Sequence, residues 1–301
     1  MFPPGIVRRG NDHQVSRLPR RSMNPARRSC QPAVAATLLV CAALVLASAI
    51  AATYRDLTPP QGKKKRPVAA NGVPAAKPAE AHIPFRAGEK LDYRILWSKF
   101  FVNAGTVRLA VIERRPFHGK EAWHFQAQAH TIDTVRMLLA LDDQFDSYSE
   151  PGAMVGLQYE MYLREQGKEQ NSVFRMTSEG TPAPGSGSAV RVLPGTRDPF
   201  GLVFFLRAVD WQRSRKVHCP VFDGKKLYEV MARLELERGE ARVPAGVYAA
   251  SRIEVRVFER GTEVPQTRFW LWLAHDAART PVLLEAEIPF GAARVELTRA
   301  E

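Results

Sequence analysis

The sequence predicts an all-β, mainly antiparallel fold: a curved sheet forming an open or closed barrel-like structure, with one or two short helices. Three observations predict it. Short runs of alternating apolar and polar residues fill most of residues 82–301, turn residues separate them, and no long stretch repeats at helical spacing. About a dozen strands result, more than a flat open sheet holds comfortably, so the sheet is expected to curl or close.

Residues 266–297 read as three strands joined by two turns. In the first, Thr267, Phe269, Leu271 and Leu273 fall on one face and Trp270, Trp272 and Ala274 on the other. Both faces are apolar, so this strand is expected to be buried on both sides. In the next two, Val282, Leu284, Ile288, Val295 and Leu297 alternate with Glu285, Glu287, Arg294 and Glu296, which leaves one face wet.

Upstream, Leu91, Tyr93, Ile95 and Trp97 alternate, as do Val107, Leu109 and Val111, and then Trp123 and Phe125. Tyr159, Met161 and Leu163 form a strand that turns at Gln166-Gly167-Lys168 into one carrying Val173 and Phe174. Asp223-Gly224 is the strongest hairpin signal, linking 216–222 to 225–236. Arg260-Gly261 turns the Ile253, Val255, Val257 strand back toward Trp270.

Two helices interrupt the pattern. Asp198 is a natural N-cap, Pro199 suits the first helical position, and Phe200, Val203, Phe204 and Leu206 follow at helical spacing. This short apolar helix is expected to plug one end of the sheet or cover its concave face. A second is expected over 133–141, where Val135, Leu138 and Leu139 group together. Residues 181–188 are a Pro/Gly/Ser loop.

The 301 residues carry a formal charge of +12, but its distribution argues against a nucleic-acid surface. Residues 1–52 hold seven Arg against one Asp, and 53–81 hold six basic against two acidic residues. The remainder has 30 basic and 28 acidic residues, a net of +2. The Arg-rich start precedes an uncharged Ala/Leu/Val run, Pro32 to Ala52, ending in small residues. That order is a signal peptide or N-terminal membrane anchor for residues 1–52, with Met1 or Met23 as the start. Residues 53–81, rich in Pro, Ala and Lys, read as a disordered linker. Residues 82–301 then form one exported β-rich domain in the periplasm or cell envelope, touching the membrane only through the N-terminal segment if that is uncleaved. Only Cys219 lies in that domain, which leaves it no intrachain disulfide.

The domain also carries Gly88-Glu89 with Leu91 and Tyr93, then Ala104-Gly105, Asp198-Pro199 leading to Leu206-Arg207, and Trp272-Leu273-Ala274 with Asp276, Arg279, Pro281-Val282 and Gly291. In order and spacing these resemble the bacterial domain of unknown function numbered 3108, over about Phe85 to Leu297. The resemblance implies an exported, β-rich envelope protein of Gram-negative bacteria, and brings no catalytic residues with it. Its implied architecture looks like the curved open barrels of periplasmic lipoprotein carriers.

Enzyme signatures are missing: there is no G-x-S-x-G elbow, H-E-x-x-H, P-loop or dinucleotide fingerprint. His124 and His130 share a strand face without an identifiable third metal ligand. Asp142, Asp143, Asp146 and Glu150 lack calcium-loop spacing and are expected on a solvated edge. No catalytic residue, metal or cofactor is therefore assigned.

The aromatics are the better lead. Trp97, Trp123, Trp270, Trp272, Phe200 and Phe204 are the candidate lining of an apolar pocket suited to a lipid or lipoprotein chain, against the plainer expectation of a packed core. His275, Asp276 and Arg279 are candidate rim residues, against the plainer expectation that Asp276 bonds its own turn and Arg279 pairs with it. The expected function is non-enzymatic binding of an apolar or amphipathic envelope component. Alternatives are a scaffold that binds another envelope protein and a hydrolase whose site the sequence hides.

Overall fold

The computed structural model describes residues 83–97, 102–178, 188–265, 267–288 and 291–301. The expected leader and linker, and most of the 181–188 loop, lie outside these residues. Among the described residues fourteen strands form one sheet: β1 (Lys90–Trp97), β2 (Val102–Phe117), β3 (Lys120–Thr131), β4 (Asp142–Ser149), β5 (Gly156–Glu165), β6 (Lys168–Thr177), β7 (Ser188–Arg191), β8 (Lys216–Phe222), β9 (Leu227–Val243), β10 (Gly246–Glu259), β11 (Thr262–Glu263), β12 (Phe269–Ala274), β13 (Pro281–Ile288) and β14 (Gly291–Ala300). Helix α1 spans Asp133–Leu138 and α2 spans Pro199–Ala208.

The sheet order is β7-β6-β5-β4-β3-β2-β1-β14-β13-β12-β10-β9-β8, with the short β11 on β10. All pairs are antiparallel except β6 with β7. One meander thus runs outward from β1 and a second returns inward to β14, so first and last strands pair at mid-sheet, Ile95 opposite Val295. The outer wings curl toward each other. Gly224, in the β8–β9 turn at φ +93°, leaves no room for a Cβ, which would lie 2.8 Å from Met161 Sδ of β5. Phe222 meets Phe174 of β6 edge-on at 5.4 Å. The Thr196-Arg197 segment spans what remains: Gly156 N donates to Thr196 O, Arg197 N to Pro220 O and Phe222 N to Arg197 O. The sheet is strongly curved, and no continuous ladder closes it.

Helix α2 lies in the trough between the wings. On one side Phe200 packs on Phe145 at 5.1 Å and Phe204 stacks on Phe125 at 3.8 Å. On the other, Leu202 and Leu206 join Val221, Val230 and Ile253. Both helix ends are tied by buried polar groups. Asp198, fully buried, accepts from Phe200 N and Gly201 N, and Ser147 Oγ donates to it at 2.6 Å. At the other end Arg207, also fully buried, forks onto Glu89: Nη1 to Oε1 at 2.7 Å and Nη2 to Oε2 at 3.1 Å. Its Nη2 also donates to Ala278 O. Arg279 Nη1 donates to the last-turn carbonyls of Arg207 and Val209, which the helix itself leaves unpaired.

Two expectations need correction. Helix α1 ends at Leu138 rather than 141, with Met137 and Leu138 87% and 80% exposed. Thr131 Oγ1 donates to Leu139 O and accepts from Leu141 N, pulling the chain into β4 and burying Leu139 and Leu141 instead. Strand β12 is not buried on both sides. Thr267, Phe269, Leu271 and Leu273 face the core, whereas Trp270 and Trp272 sit half-buried on the outer face. There the Arg252 guanidinium lies over both rings, 4.8 and 5.6 Å from their centroids, and Trp272 Nε1 donates to Glu285. A planar cation covers the indoles where a second layer of apolar side chains was expected.

Truncating Arg207 strands the Glu89 carboxylate in the core, so Arg207→Ala is expected to lose about 3–5 kcal/mol of unfolding free energy in urea titrations. The double replacement Glu89→Leu with Arg207→Met should recover most of that loss. A single variant as stable as the parent would show that the pair does not anchor the helix.

Candidate functional site

The curl leaves α2 packed against the wings, while the middle strands beneath it have no layer of their own to meet. An apolar cavity of about 80 Å³ lies in that gap. Tyr93, Val107 and Val295 of β1, β2 and β14 line its floor, with Phe269 and Leu271 of β12 beside them. Phe200, Val203 and Leu206 come down from the helix. Among the lining side chains the Tyr93 hydroxyl is the sole polar group, and it donates to Pro281 O at 2.7 Å. Burial pushes that hydroxyl far above the usual tyrosine range, so it stays neutral. Several water-sized spheres would fit the volume, yet water needs two to four polar partners and the lining side chains offer at most the acceptor side of the Tyr93 hydroxyl. The half-buried Leu109, Val203 and Leu284 mark where the lining approaches solvent.

Of the six aromatic residues the sequence suggests for the lining, Phe200 is in it. Phe204, one turn along, belongs instead to a packed aromatic group with Phe85, Trp123 and Phe125. Trp97 and Trp272 are half-buried against the main core, and Trp270 and Trp272 lie on the face of β12 opposite the cavity. The liners that sequence reasoning missed include two further aromatics, Tyr93 and Phe269, and aliphatic residues such as Val107, Leu271 and Val295. Strand alternation places each on a buried face, but not next to unfilled space.

His275, Asp276 and Arg279 line a different feature, a polar cleft of about 470 Å³ beyond the C-terminal end of α2. Asp276 accepts from Thr280 N and Thr280 Oγ1, bracing its own turn. Arg279 does not pair with it, being drawn to the helix carbonyls. Ser251 Oγ and His275 Nε2 are 2.9 Å apart, and both face Glu237 O, at 2.7 and 3.1 Å. A carbonyl only accepts, so the network assigns the proton to Nε2. In that tautomer Nε2 cannot take the Ser251 proton, and the pair is not an activated nucleophile.

The two strand histidines do not converge either. His124 Nε2 meets Asp146 Oδ1 at 2.6 Å and His130 Nδ1 meets Asp142 Oδ1 at 2.8 Å, about 20 Å apart along β3. The acidic cluster is not a solvated edge, because β4 is an inner strand flanked by β3 and β5. Asp142 pairs with Arg136, Asp146 is buried against His124, Gln126 and Gln144, and Asp143 is buried with Arg164 N as its donor. Burial raises the Asp143 carboxyl to about 7.

Residues 92–298 match the family described as protein of unknown function, DUF3108. The chain belongs to the DUF3108 family. The DUF3108 segment contains every residue lining the cavity and the cleft, and leaves out Glu89. No curated protein matches this DUF3108 chain. Among solved structures it is similar to a β-barrel-like protein of domain of unknown function DUF1849 from Brucella abortus, at 10% identity and TM-score 0.42, covering 71% of this chain and 96% of that one. It is similar also to a candidate lipoprotein from Parabacteroides distasonis, at 9% identity and TM-score 0.37, covering 74% and 99%. A candidate exported protein with a YmcC-like fold from Bacteroides fragilis matches at 8% identity and TM-score 0.34, covering 73% and 98%.

Asp143 gives this fold a pH signature. A carboxyl whose pKa is raised on folding keeps its proton in the native state while the unfolded chain has lost it, so stability falls as pH rises from about 4 to about 7. Asp143→Asn should flatten that slope in denaturant titrations across the window. An unchanged slope would place the charge outside the core.

Proposed function

We propose that this protein is an exported, non-enzymatic component of the cell envelope that holds the end of a hydrocarbon chain of an envelope molecule, a lipid or a lipoprotein, in the cavity under α2. One observation carries the reading: a void at the centre of the sheet whose walls are apolar and whose single hydroxyl is already bonded. Such walls give a hydrocarbon guest dispersion contacts and removal from water, and give a polar guest nothing. The Arg-rich leader followed by an apolar run supports an envelope location.

A second reading, a scaffold that binds another envelope protein, draws on the bare Met137 and Leu138 side chains of α1. A hydrolase is disfavoured by the Ser251–His275 geometry.

The test is native mass spectrometry of residues 82–301 with the natural leader, purified from the periplasm without detergent. The expected spectrum contains a non-covalent adduct bearing an acyl chain. Val107→Phe, which fills the cavity from β2, should remove the adduct at a stability change of no more than about 1–3 kcal/mol. An adduct-free spectrum from the parent protein, or an adduct that survives the filled cavity, would sink the lipid reading; a stoichiometric protein partner crosslinked at Met137 would favour the scaffold.

A further inference from the structure

The cavity and the polar cleft are consecutive along one inner face. On β12 Leu271 lines the first and Leu273, two residues on and about 7 Å away, lines the second. On β10 the corresponding residues are Val255 and Ser251, with the fully buried Ile253 between them. On the helix side Leu206 belongs to the cavity, and Asp210 and Trp211, just past the helix end, belong to the cleft. The partition is thin: the Trp211 indole, its Nε1 donating to Leu206 O at 2.9 Å, packs in one cluster with Leu206 and Leu273.

The charged groups of the cleft are mostly committed. Asp276 braces its turn, and Asp210 accepts from Gln212 N and Arg213 N. Glu237 pairs with Arg215, and Arg279 serves the helix carbonyls. His275 Nε2 and Ser251 Oγ share Glu237 O. Arg238 is exposed on β9 and lines the cleft with no ion-pair partner among the described residues. Gln212 lines the same cleft and is exposed. A guanidinium without an ion-pair partner suits a phosphate or carboxylate, which it can grip through two parallel hydrogen bonds.

We infer that the ligand is a single-chain amphiphile with an anionic head: the last few carbons of its hydrocarbon lie in the cavity, its head sits in the cleft against Arg238 and Gln212, and Trp211 turns aside where the two meet. This rests on the proposed function and adds the head-group site to it. It also accounts for a cavity that offers the head nothing, since the polar end has its own place one layer further along the same strands.

The test is calorimetric titration of the domain with monomeric probes. These are a lysophosphatidylglycerol with a six-carbon chain, a neutral hexyl maltoside, and glycerol 3-phosphate. The anionic amphiphile should bind at least tenfold tighter than the neutral one. Arg238→Ala should abolish that ratio while leaving the neutral affinity unchanged, Val107→Phe should weaken both amphiphiles, and glycerol 3-phosphate alone should not bind. Tryptophan emission should shift on binding in the parent and not in Trp211→Phe. Equal affinities for the two amphiphiles, with Arg238→Ala silent, would overturn the head-group site and leave the cavity reading intact. Glycerol 3-phosphate binding that Val107→Phe does not affect would make the cleft a separate anion site and overturn the shared ligand. If neither amphiphile binds, the cavity reading falls with it.

Discussion

The Glu89–Arg207 pair is the constraint on which the rest of the structure depends. It joins the residue just before β1 to the last turn of α2, the longer of the two helices among the described residues; the Arg207 side chain is fully buried and the Glu89 side chain about 10% exposed. Two charges in a low-dielectric trough hold only when their geometry is good and most of their remaining hydrogen-bonding capacity is used; in Arg207 only Nε has no hydrogen-bond partner among the described residues. Here the carboxylate takes both arms of the guanidinium, one arm continues to Ala278 O, and Phe85 and Phe204 present ring faces at 5.2 and 5.3 Å. Any slip of the helix along the trough would leave one of those charges unpaired.

That fixed position explains the cavity. With Asp198 capped and clamped by Ser147 at one end and Arg207 locked at the other, α2 cannot sink to fill the space above Tyr93, Val107 and Val295. Its bulkiest side chains are already spent on the wings, Phe200 against Phe145 and Phe204 against Phe125. A closely packed interior tolerates few voids larger than a water molecule, so a gap maintained by polar ties at both helix ends is unlike an accident of loose packing. Arg279 adds to this: from the β12–β13 turn it holds the helix carbonyls, so the strand that lines the cavity also fixes the helix above it.

Much of the fold was legible in the residues. Alternation at Leu91, Tyr93 and Ile95, the Asp223-Gly224 turn and the Asp198-Pro199 start each specify structure through local rules, and each stands where those rules put it. The site was less so. Trp270 and Trp272 looked like interior residues because a run of large apolar side chains does not reveal that Arg252, far off in sequence but adjacent in the sheet, will shield them. Asp143 and Asp146 looked like an edge because nothing local says β5 will cover that side of β4. Val107, Leu271 and Val295 could be assigned to the core, but whether a core position faces another side chain or a gap depends on where the helix is pinned. Glu89 and Arg207 are 118 residues apart, and that pairing has no local signature.

The central claim is that α2 is held off the floor of the sheet over dry, apolar space. Xenon binds such spaces and leaves polar, hydrated ones alone, so a crystal of the domain pressurised with xenon tests the claim without knowledge of the ligand. A xenon peak is expected between Leu206, Leu271 and Val295, with the Glu89–Arg207 fork intact above it. Ordered water at that point, or a floor closed by Phe200 and Leu206 with no xenon, would contradict it.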